Sequence, residues 1–123
     1  GSMNNWSKVA LEWNLANDSN FGPHTPFGCT ECKGALTIDG SAVQRNVAYY
    51  IIAHASKFVP SGSVRIGSSV VAGLPSVSFM RPDKKVVFIV MNDKNEPQQF
   101  KVKYLRKEMK VSLKAGAVST VVL

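Results

Sequence analysis

At Pro60-Ser61-Gly62 the hydrophobic pattern of this chain changes period, and that change constrains the fold more than any other feature. After it the helical period disappears and short β-rich runs replace it: 64–72, 77–80, 85–92, 98–105, 108–113 and 117–123. Turn-forming clusters separate the runs, among them Gly73-Leu74-Pro75, Arg81-Pro82-Asp83-Lys84 and Lys114-Ala115-Gly116. Short strands joined by hairpin-like turns predict an antiparallel sandwich or barrel. Before the change the pattern is mixed. Lys8 to Ala16 is largely apolar and predicts a strand buried on both faces, as parallel strands usually are. Asn17 to Gly34 is a long turn-rich loop, and Ala35 to Asp39 is a short second strand. Ser41 offers an N-cap for a helix running to about Lys57. On that helix Val43, Val47, Tyr50, Ile51, His54 and Phe58 share one face, so His54 reads as a packed, hydrogen-bonded histidine. The fold class expected is α+β, mainly β, with the helix packed on the sheet.

With 123 residues, 45% of them hydrophobic, the chain can bury one core. Gly1-Ser2-Met3 reads as an expression scar, and residues 1–7 are set aside from fold reasoning. No run of about 18 apolar residues occurs, so no membrane span is expected. The formal net charge of +7 invites a nucleic-acid reading. The cations, however, alternate with apolar residues, as in Lys101-Val102-Lys103-Tyr104 and Lys110-Val111-Ser112-Leu113-Lys114. That is the wet face of half-buried strands, and no nucleic-acid partner is expected.

Chemistry has little to work with. Cys29 and Cys32 supply two sulfurs, whereas a structural zinc usually takes four ligands, and only His24 and His54 could complete the set. A local loop disulfide and two free thiols stay open as readings; no metal and no cofactor are expected. Of the acids, Glu12 alone lies within an apolar run, beside Trp13, and it has no evident partner. A two-carboxylate mechanism cannot be assembled, and neither a nucleophile elbow nor a glycine-rich phosphate loop is present. No catalytic residue is assigned.

Three segments carry a family resemblance. The first is Trp13-Asn14-Leu15-Ala16 followed by Gly22-Pro23. The second is Tyr49-Tyr50 leading to His54-Ala55-Ser56-Lys57-Phe58-Val59-Pro60-Ser61-Gly62-Ser63-Val64-Arg65-Ile66-Gly67. The third is Arg81-Pro82-Asp83-Lys84-Lys85-Val86-Val87-Phe88-Ile89-Val90-Met91-Asn92-Asp93. In this order they resemble the C-terminal region of glucosylceramidase-like glycoside hydrolases, family 30. Ala53 stands where that family often has Gly, and Ala55 where it usually has Phe.

The resemblance implies a (β/α)₈ barrel attached to a β-sandwich built partly from segments before the barrel. Residues 8–58 would then be the last barrel strand, its loop and its helix, and residues 63–123 the C-terminal strands of the sandwich. It further implies a retaining parent enzyme that acts on a β-glycoside or glycolipid and is secreted, periplasmic or otherwise extracytoplasmic. The family's two catalytic glutamates would lie upstream of Trp6, so this chain alone is expected to be inactive. Glu12 matches an acidic position beside the family's tryptophan, not the nucleophile. Trp13 matches a tryptophan that lines the sugar pocket, a role open to it only in an intact parent. The second reading is a stand-alone carbohydrate-binding sandwich, which would need exposed aromatics among Phe79, Phe88, Phe100 and Tyr104. For a chain without barrel neighbours, the expectation is that Asn17 to Gly34 is mobile and that Val9 to Leu15 docks on the sheet or self-associates.

Overall fold

The structure, a computed structural model, describes residues 1–123. Its elements are β1 (Ala16–Asn17), β2 (Leu36–Asp39), β3 (Ala42–Arg45), α1 (Val47–Ser56), β4 (Val64–Ile66) and β5 (Ser76–Met80), then β6 (Val86–Met91), β7 (Gln98–Tyr104), β8 (Lys107–Leu113) and β9 (Val118–Val122). They form three sheets, ordered β1-β2-β3, β4-β5-β6-β9 and β7-β8. Every strand pair is antiparallel except β1 with β2. The mainly-β class, with one helix, is the one the alternating pattern predicts.

Strand β6 is the centre of the second half. Val87 is fully buried and Val90 nearly so, because β5 and β9 pair on its two edges while both of its faces are covered. On one face Val90 packs with Leu74 and Leu113, and Phe88, Phe100, Val111 and Ala117 close around them. This face looks toward the β7-β8 hairpin. Residues directly opposite on paired strands share a face, so Ile89 and Thr120 point the other way. There Thr120 Oγ1 lies 2.8 Å from His54 Nδ1 of α1. The histidine therefore fastens the helix to the sheet.

Asn92 follows β6 and is fully buried. Its amide donates to the carbonyls of Glu96, Leu113 and Lys114, and its Oδ1 accepts from the Lys94 N–H. One side chain thus ties the end of β6, the following loop and the end of β8 together, satisfying groups that would be costly to bury unpaired.

Four expectations are corrected. The helix does not begin at Ser41. Asp39-Gly40 is a hairpin signal, Gly40 takes φ 57°, and Asp39 pairs with Ala42, so β2 and β3 form a hairpin and α1 starts only at Val47. Residues 8–15 are not a strand. A strand buried on both faces needs neighbours on both sides, and here only Asn14 to Asn17 bond to the β2 segment, along one edge. The side chains of Val9, Leu11, Trp13 and Leu15 are all exposed rather than packed on the sheet. The strand expected over 64–72 ends at Ile66, since Gly67-Ser68-Ser69 has no apolar alternation, and Val70 is 99% exposed. Residues 1–7 also take part in the fold. Asn4 donates to the Ser76 carbonyl, and the Arg65 guanidinium lies 4.3 Å over the Trp6 ring.

Candidate functional site

The residues bearing on function lie in the first half, around Trp13 and the loop after β1. Trp13 is 80% exposed and precedes a cis peptide to Asn14. The turn behind it is held by backbone: Ala35 N–H donates to the Asn14 carbonyl and Leu36 N–H to the Leu15 carbonyl. Asn14 Oδ1 also accepts from Ala16 N–H. The indole stands at the rim of the small β1-β2-β3 sheet with no neighbour stacked on it.

Two buried asparagines, Asn17 and Asn46, organise the loop that follows β1. Asn17 Oδ1 accepts from Gly34 N–H at 2.6 Å while its amide donates to the Phe21 carbonyl, closing the long loop at both ends. A Cβ on Gly34 would come within 2.8 Å of that same oxygen, so the residue must be glycine for the loop to shut. Asn46 donates to the Gly34 carbonyl and to Thr37 Oγ1. Its side chain is thereby used for the loop rather than for capping α1. Asp18 Oδ1 accepts from the N–H groups of Asn20 and Gly22, both at 2.8 Å. Sequence reading missed these asparagines; their only signal is an amide next to a glycine-rich loop, which any surface turn also shows.

Within the loop Cys29 and Cys32 are joined, with Cα atoms 5.6 Å apart, and His24 Nδ1 lies 3.2 Å from the Cys29 carbonyl. No three His, Cys, Asp or Glu side chains come together as a metal would require. Glu12 is exposed, not enclosed in a strand. On the far hairpin, hydrogen bonds from Lys101 and then Lys103 hold the Glu108 carboxyl below its ordinary pKa.

In the second half the aromatics do not form an exposed row. Phe79 is buried, and Phe88, Phe100 and Tyr104 are half-buried. Between the four-stranded sheet and the hairpin runs an apolar cleft of about 620 Å³, lined by Leu74, Phe88, Val90, Phe100 and Tyr104 among others. Its walls are the inner faces of the sandwich.

Residues 62–121 match the glycosyl hydrolase family 30 beta sandwich domain, and the chain belongs to that family as its C-terminal region.

The endo-1,6-beta-D-glucanase neg1 of Aspergillus fumigatus is 31% identical over 99 residues, covering 75% of this chain and 20% of the relative. The lysosomal acid glucosylceramidase of Mus musculus is 31% identical over 87 residues, covering 69% and 17%. Among solved structures, the endo-beta1,6-glucanase BT3312 superposes with a TM-score of 0.86 at 31% identity, covering 96% of this chain and 27% of that one. SrfJ from Salmonella typhimurium gives a TM-score of 0.81 at 27% identity, covering 90% and 25%. The chain therefore spans about a fifth of the length of the curated relatives it matches. No helix is long and apolar enough to cross a membrane.

Proposed function

We propose that this chain is the supporting C-terminal region of a retaining glycosidase whose catalytic glutamates lie in barrel segments outside it. In such an enzyme one glutamate attacks the anomeric carbon to form a glycosyl-enzyme, while a second protonates the leaving oxygen and then activates water. The substrate is a β-linked glucoside, either a β-1,6-glucan or a glucosylated lipid, in keeping with the names of the relatives. The enzyme works outside the cytoplasm, where a loop disulfide persists.

One observation carries this reading. Val9, Leu11, Trp13 and Leu15 lead into the one parallel pairing of the molecule with their side chains uncovered. Parallel strands are normally covered on both faces, so this run is built to be flanked by barrel strands on either side. In that setting Trp13 stands at the rim where barrel active sites lie and offers its ring to a sugar. The carbohydrate-binding alternative gains nothing from the half-buried aromatics of the sandwich.

The test is hydrolysis of a chromogenic β-glucoside and of β-1,6-glucan by the 123-residue chain, run beside Glu12→Gln. The expected result is no turnover from either protein. Turnover by the unmodified chain that disappears in Glu12→Gln would overturn the reading and make Glu12 catalytic.

A further inference from the structure

A second surface, remote from Trp13, has no part in that reading. The β7-β8 hairpin turns through Leu105 and Arg106, since Tyr104 pairs with Lys107. Leu105 takes φ 52° and is 87% exposed. A positive φ at the first position of a two-residue hairpin loop is the place for glycine, and a leucine there is strained. The core gains nothing from it in return. A strained, apolar, solvent-facing residue makes sense where something apolar receives it.

Its surroundings say what that is. Lys103, Arg106 and Lys107 ring the tip. On the outer face of the hairpin Lys101 sits directly opposite Lys110, a like-charge pair that opposes folding. Glu108 is the only acid there; its contacts at 2.7 Å to Lys101 and 3.1 Å to Lys103 steady both ammonium groups while leaving the face basic. The inner face of the same hairpin is spent on the core through Phe100, Val102, Val111 and Leu113.

We propose that the β7-β8 hairpin is a contact surface for an anionic lipid bilayer, with Leu105 entering the acyl boundary and the surrounding lysines and Arg106 meeting headgroup phosphates. Cations beside an apolar side chain are the combination that interfacial binding uses. A soluble polyanion would be met by the cations alone and would leave the strained leucine without a role.

The experiment is co-sedimentation of the full 123-residue chain with phosphatidylcholine vesicles, with and without phosphatidylserine, at low salt. The unmodified protein is expected to pellet with the anionic vesicles and stay in solution with the neutral ones. Leu105→Gly relaxes the turn, so its thermal midpoint holds or rises while its partitioning falls about tenfold. The double variant Lys101→Gln, Lys110→Gln removes the like-charge pair and is expected to lose roughly 25-fold, about fivefold per cation. Equal binding to neutral vesicles would overturn the proposal. So would unchanged anionic-vesicle binding by Leu105→Gly, or full displacement from those vesicles by soluble polygalacturonate with Leu105→Gly equally affected; the last outcome would mark a plain polyanion site.

Discussion

The two halves of this chain use apolar residues in opposite ways. From β5 onward, valines and phenylalanines point inward: Val86, Val87, Val90 and Val121 are buried, and Asn92 is sealed among carbonyls at the end of β6. In residues 8–58, side chains of the same type face water. Val47 is 77% exposed and Ile51 51% exposed, although both lie on one helix. The apolar stripe of α1 therefore does more than hold the helix to β9, a task left largely to His54 and Thr120. The lesson is that hydrophobic periodicity reports where a face wants to be buried and not whether the covering partner is in the same chain. The first half leaves its apolar side chains open to water, whereas the second packs most of its own around β6.

That contrast can be broken or sharpened by experiment. The largest effect is expected at Asn92. Replacing it with Leu strands three carbonyls and one N–H and should cost about 3 kcal/mol or more in urea unfolding. A loss under about 1 kcal/mol would mean the loop does not depend on this amide. Next comes a matched pair. Val90→Ala should cost about 2 kcal/mol, whereas Ile51→Ala on the exposed helix face should change stability by less than about 0.5 kcal/mol. Equal losses would erase the distinction between the halves. The Cys29–Cys32 bond closes only a short loop, so reducing it should cost under about 2 kcal/mol. Amide exchange should then rise within residues 18–34 and stay unchanged in β5 and β6. The smallest effect belongs to Glu108. Its folded pKa lies below 4.5, so its contribution is present above that value and fades as pH falls through the folded pKa. Glu108→Gln should flatten the acid limb of the stability curve slightly; superimposable limbs would show that the lysine contacts carry no linkage.

Much of the second half was legible in the sequence because strand alternation is a local signal. The runs 98–105 and 108–113 differ from β7 and β8 by a single residue at one end. The 64–72 run failed at Gly67, where pairing with β5 ends although valines continue to Val71. The first half was harder for physical reasons. Asp39-Gly40 can precede a helix cap or close a hairpin, and only the register of β2 with β3 decides between them. The family resemblance held for the later part of the chain, where residues 62–121 match the family's sandwich domain. The roles of Asn17 and Asn46 escaped because both act through backbone groups distant in sequence, which a pattern of residue types does not reveal.

The position of β6 also has a consequence for the order of events during synthesis. Its first neighbour, β5, precedes it immediately, but its second, β9, comes only after the whole β7-β8 hairpin, and the pairing closes with reciprocal bonds between Val86 and Leu123. A nascent chain that has emerged as far as Lys114 therefore holds its most apolar strand with one edge bare. Non-local pairing of this kind is slow, and the waiting species is prone to aggregate. A chaperone that shields strand edges would act in that interval, and shortening the chain within β9 would make the interval permanent.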